Sequence, residues 1–169
     1  MPVVINGSTG ISGTDGSAGT PAVQGTDTNT GIYFPGADRI GFAEGGVQVG
    51  EFDASSNFRF NSGYGSVAIA YGCRAWVSFN GTGTVAIRAS GNVTSITDNG
   101  VGLYTVNFSS SMPDVSFAYS HSYSAEVNGQ HGVGFIAGIT TSSLQVAHYN
   151  AANSGQTMDK EFVLIAIFR

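Results

Sequence analysis

Charge is what this sequence has least of. Only 10% of its residues are Asp, Glu, Lys or Arg, against about 25% in an ordinary soluble domain. The six basic side chains (Arg39, Arg59, Arg74, Arg88, Lys160 and Arg169) are scattered along a chain of net charge −5. No basic stripe exists for a phosphate backbone, so nucleic acid is not an expected partner. The surface must be covered instead by Ser, Thr, Asn, Gln and Gly, a neutral coat that repels its neighbours little and suits a protein held at a fixed place in an assembly. Cysteine is nearly absent too. Cys73, the single one, excludes an intrachain disulfide framework and any cysteine zinc site within one chain. Beside Tyr71 it reads as a small buried hydrophobe rather than a reactive thiol. No run of 18 apolar residues occurs, so no membrane-spanning helix and no membrane insertion are expected. The opening MPVVINGSTG has neither the basic region nor the apolar core of an export signal.

Helical periodicity is missing as well, and Gly, Thr, Ser, Asn and Val are poor helix formers, so the chain reads as all-β. From Arg74 onward the strand signals are strong. AWVSF and TVAIRAS alternate on either side of Asn80-Gly81-Thr82-Gly83, and NVTSIT and LYTVNF on either side of Asp98-Asn99-Gly100, which predicts two hairpins. In LYTVNF, Tyr104, Val106 and Phe108 share one face; Leu103, Thr105 and Asn107 share the other. After Met112-Pro113-Asp114, VSFAYSHSYSAEV places Val115, Phe117, Tyr119, His121 and Tyr123 on a bulky face and small residues on the other. Asn128-Gly129, Thr140 to Ser143 and Asn153-Ser154-Gly155 then separate GVGFIAGIT, LQVAHYN and EFVLIAIFR. The last run is apolar on both faces, as expected of a central strand. About eight strands at short spacing predict an antiparallel, jelly-roll-like β-sandwich over residues 71–169.

Residues 1–70 are different. They hold 14 of the 25 glycines, and their apolar clusters (VVI, IYF, RIGF, VQVGEF, FRF) allow only strands of three to six residues with little to bury against. Disorder is disfavoured by the aromatics. Several copies winding together, each supplying the others' core, resolve the problem, and a closed threefold arrangement does so without open edges. Ile32, Tyr33, Phe34, Ile40, Phe42 and Phe52 are the residues expected to pack in such an intertwined trimeric stalk.

Two stretches carry a resemblance. TDTNTGIYFPGADRIGFAEGG resembles segments that recur in tail fibres and related structural proteins of bacteriophages, especially phages of marine bacteria and cyanobacteria. CRAWVSFNGTGTVAIRASGNVTSITDNGVGLYTVNFSSSMPD resembles a C-terminal fibre-head module of the same proteins. Together they cover about 60 of the 169 residues. The resemblance implies a virion protein: a homotrimer with an extended stalk, a globular head, and an N-terminal region bound to other virion proteins of the tail or capsid. It leaves open a receptor-binding tail fibre, a head decoration or capsid fibre, and a polysaccharide-degrading tailspike.

Catalytic chemistry has little to stand on. His121, His131 and His148 form a metal cluster if strands bring them together, or one of them does so in three copies around a threefold axis, and no spacing specifies either. The carboxylates Asp98, Asp114, Glu126, Asp159 and Glu161 show no pairing with a base or nucleophile, and the Gly-x-Gly pairs lack the helix that a phosphate site needs. The expectation is a non-enzymatic protein without cofactor or metal. Binding is the better reading. Recognition of a host surface glycan needs an exposed aromatic face and neutral hydrogen-bonding groups, and Tyr119, His121, Tyr123, His148 and Tyr149 are the candidate receptor-binding residues.

Overall fold

The computed structural model describes residues 4–7, 10–63, 65–124, 132–150 and 156–169, and every regular element among them is a β-strand. The chain divides into two compact units, Met1–Ala70 and Tyr71–Arg169.

The first unit opens with two small hairpins, β1 (Val4–Asn6) with β2 (Gly10–Ser12) and β3 (Gly16–Ser17) with β4 (Thr20–Pro21). A six-stranded antiparallel meander follows: β5 (Val23–Gln24), β6 (Gly31–Tyr33), β7 (Ile40–Glu44), β8 (Val47–Phe52), β9 (Phe58–Phe60) and β10 (Ala68–Ile69), each paired with the next. Local chemistry sets the turns. Before β6, Asp27 accepts hydrogen bonds from the Thr30 hydroxyl at 2.8 Å and the Asn29 N–H at 3.3 Å. Between β7 and β8 the loop is Gly45-Gly46, both at positive φ (58° and 79°), which is what a two-residue turn matching strand twist requires. Before β9, Asp53 accepts from the N–H groups of Ser55 and Asn57, both at 3.0 Å. The stretch from Thr26 to Phe42 is thus strand, turn, strand, with Ile32 opposite Phe42 and Tyr33 opposite Gly41. Its backbone partners lie in the same chain; what lacks partners is one face of its side chains.

The second unit is a β-sandwich of eight strands: β11 (Cys73–Asn80), β12 (Ala86–Gly91), β13 (Val93–Asp98), β14 (Leu103–Phe108), β15 (Ala118–Tyr123), β16 (Gly132–Ile139), β17 (Ser143–Asn150) and β18 (Val163–Phe168). One antiparallel sheet runs β12-β11-β18-β15, the other β13-β14-β17-β16. Side chains from both sheets meet in one core, with Ala75, Val77, Phe79, Val163, Ile165 and Ile167 from the first against Tyr104, Val106, Phe108, Leu144 and Val146 from the second. The two predicted hairpins are β11–β12 and β13–β14, and Tyr104, Val106 and Phe108 are the inward set of β14. β18 is central, between β11 and β15, yet Leu164 and Phe168 on its outer face are exposed. The turns expected at Asn128-Gly129 and Asn153-Ser154-Gly155 lie outside the described residues.

Two details depart from expectation. Cys73 is exposed rather than buried, because it begins β11, where the chain enters the sheet from an exposed Tyr71. And Asn92 alone links β12 to β13, carrying the chain from one sheet to the other at φ 56°. Its amide holds the crossing from both sides: Nδ2 donates to the Arg74 carbonyl at 3.0 Å and the Ser110 carbonyl at 3.1 Å, while Oδ1 accepts from the Ser110 N–H at 2.7 Å. Asparagine tolerates the left-handed backbone better than most residues.

Candidate functional site

In the first unit the period-2 alternation of β6 to β9 sorts side chains onto two unlike faces. One is polar. Glu51, almost wholly buried, takes Arg39 Nη2 at 2.5 Å and Arg59 Nη1 at 2.7 Å. Burial pushes its pKa up, but hydrogen bonds from Arg39 and Gln48 and the charge of both arginines outweigh this and hold it below the usual carboxylate value. Tyr33 is on this face, buried in its own chain with its ring over Gly41, where any Cβ would come within 2.6 Å of the ring. Of the six expected stalk residues, it alone is buried within its own chain.

The other face is apolar and uncovered. Ile32, Phe34, Ile40, Phe52, Phe58 and Phe60 are exposed, Phe52 at 45%. Four phenylalanines form a row across β7, β8 and β9, with ring centroids 6.3 Å apart for Phe42–Phe52, 5.3 Å for Phe52–Phe58 and 6.1 Å for Phe58–Phe60. The backbone dictates this row, since Ile40 pairs with Phe52, Phe52 with Phe58, and Gly50 with both Phe42 and Phe60. Phe58 and Phe60 belong to it as much as the expected residues do; the alternation in FRF was the signal. A contiguous apolar patch of this kind marks a surface of interaction.

In the second unit the expected receptor-binding residues come together, but inside. Tyr119, His121 and Tyr123 lie opposite Ile167, Ile165 and Val163, the inward residues of β18, so the bulky face of β15 turns to the core and its Ala-Ser-Ser face to solvent. His148 is fully buried on β17. Four of the five candidates therefore do not form an exposed stacking surface, because on a half-covered sheet the larger, less polar face is the one that packs. Tyr149 alone of the five points to the outer face of its sheet, partly exposed and 5.4 Å from the ring of Phe135.

The buried cluster has its own chemistry. His121 Nε2 and His148 Nε2 are 2.8 Å apart, a hydrogen bond in which one ring donates and the other accepts. Both Nδ1 atoms are buried without a partner. Burial pushes both histidines down to a pKa of about 4; at His148 the nearby His121 and Lys160 act in the same direction and Asp159 opposes them. The pair is neutral at neutral pH. Beside it the Tyr104 hydroxyl lies 2.5 Å from Asp159 Oδ1 and 2.7 Å from the Gly81 carbonyl. Among the described residues no three His, Cys, Asp or Glu side chains are placed to hold a metal ion, and His131 lies outside them.

No protein-family model, curated protein or solved structure matches the chain.

Proposed function

We propose that the chain is a non-enzymatic structural and adhesive protein of a bacteriophage virion: a homotrimeric tail fibre in which residues 1–70 form the stalk and attachment region and residues 71–169 the head that meets the host surface. The observation that carries this reading is the row Phe42, Phe52, Phe58 and Phe60 with its exposed aliphatic neighbours. A sheet one layer thick owns no core on that side, and apolar surface returned from water stabilises by roughly 25 cal/mol per Å². Three copies turning these faces inward close the assembly and leave none exposed. The DTNTGIY and FNGTGTVAIR motifs supply the phage context, and the neutral coat suits a component with a fixed place.

Native mass spectrometry and light scattering of the full chain at micromolar concentration are expected to give a trimer; a well-folded monomer overturns the reading. Labelled protein is expected on the tail in electron micrographs of the virion, and the purified chain is expected to bind host cells and compete with infection. Binding to capsids through residues 1–70, without host binding, selects the capsid-fibre alternative.

A further inference from the structure

The two outer faces of the sandwich treat their polar groups differently. On the β13-β14-β17-β16 sheet they are spent on one another: Asn107 Nδ2 donates to Ser95 Oγ at 3.1 Å and Thr97 Oγ1 at 2.9 Å, and Asn99 Nδ2 to Thr105 Oγ1 at 2.8 Å. On the β12-β11-β18-β15 sheet they are left open. Trp76, Ser78, Ser120, Ser122, Leu164 and Ala166 line a depression of about 250 Å³. Neither the indole N–H of Trp76 nor the hydroxyls of Ser78, Ser120 and Ser122 make a side-chain hydrogen bond among the described residues.

The register explains how they converge. Trp76, Ala166 and Ser120 form one cross-strand row, and Ser78, Leu164 and Ser122 the next. Ala166 keeps the floor low between the indole and the hydroxyls. Gly91 opposite Trp76 makes room for the ring, since a Cβ there would lie 2.4 Å from Nε1. Trp76 nevertheless stays 44% exposed and Leu164 47%, although both are large apolar side chains on central strands.

Among the described residues no ionised side chain lines the depression. The chain is net acidic, and the lining offers an anion no charged partner within the depression among the described residues. An indole beside unpartnered hydroxyls in a neutral lining matches a ligand with C–H faces and many hydroxyls. We infer that this depression is a binding subsite for a neutral saccharide, with Trp76 as the stacking surface and Ser78, Ser120 and Ser122 as hydrogen-bonding partners. The inference rests on the adhesive reading above and moves the recognition face from the buried His121–Tyr123 cluster to the outer side of the same strand.

Trp76 is the chain's only tryptophan, so its emission reports on this site alone. Titration of the full chain with a panel of neutral hexose and N-acetylhexosamine oligosaccharides, with sialylated and sulfated ones as controls, is expected to shift that emission saturably with the neutral sugars. Glycan-array binding is expected to fall about tenfold or more in Trp76→Ala and in Ser120→Val/Ser122→Val, and to be unchanged in Tyr149→Ala on the other sheet. Unchanged melting of each variant separates lost binding from lost folding. Host-cell binding that survives in the Trp76 and serine variants, or host-cell binding without any neutral-glycan binding, overturns the site and leaves the adhesive reading standing. A wild-type chain that binds neither cells nor glycans overturns both.

Discussion

At the scale of the residue, one histidine pair and one asparagine carry more than their size suggests. The His121–His148 pair is held neutral by burial, with a folded-state pKa of about 4 for each against about 6.5 in an unfolded chain. Between those values the unfolded chain binds protons that the folded one refuses, so stability is full above about pH 6.5 and declines as pH falls toward 4. Lys160 and Asp159 face the same cluster, and the lysine adds to the cost of a further positive charge. Thermal melting of the 71–169 unit is therefore expected to drop steadily over that window. A His121→Gln/His148→Gln variant should flatten the slope there whatever its stability at pH 7; an unchanged slope would show that other groups are responsible. Asn92 is the second case. Its alanine variant loses three side-chain hydrogen bonds and keeps the left-handed backbone, a loss of roughly 2–4 kcal/mol in chemical denaturation, and Asn92→Gly should recover only the backbone share. Neither role was legible in the sequence. His121 and His148 are 27 positions apart with no spacing to link them, and Asn92 stands where alternation continues on both sides.

At the scale of the element, alternation was readable and its direction was not. The split of LYTVNF into inward and outward sets follows from the sequence, as does the bulky-against-small division of residues 115–124. Which face of β15 meets the core depends on its pairing with β18, a long-range register that no local pattern encodes. The same holds for IYF in the first unit. Ile32 and Phe34 go to one face and Tyr33 to the other, so one cluster serves two purposes. Substitutions should divide accordingly. Phe52→Ser removes an exposed member of the aromatic row and is expected to weaken association while both units keep their secondary structure by circular dichroism. Gly41→Val forces the Tyr33 ring off its strand and is expected to unfold the first unit even in a dilute, dissociated chain. If both variants instead altered association alone, the division of the meander into two faces would be wrong.

At the scale of the molecule, the two units differ in what they own. The sandwich has a core drawn from both of its sheets; the meander has one satisfied face. Heating the full chain is expected to produce two transitions, the one assigned to residues 1–70 rising with protein concentration by mass action and the one assigned to residues 71–169 not. A single, concentration-independent transition would contradict this. The compositional break in the sequence pointed to this asymmetry, through glycine density and the brevity of the apolar clusters. The meander also tapers. Its middle strands β7 and β8 have five and six residues, while the outermost, β5 and β10, have two each. The meander of a newly made chain thus offers almost no backbone rim on which a neighbour can add as a seventh strand. Under the proposed face-to-face assembly, crowding at the site of synthesis is therefore expected to feed finite complexes rather than ribbons grown through this sheet.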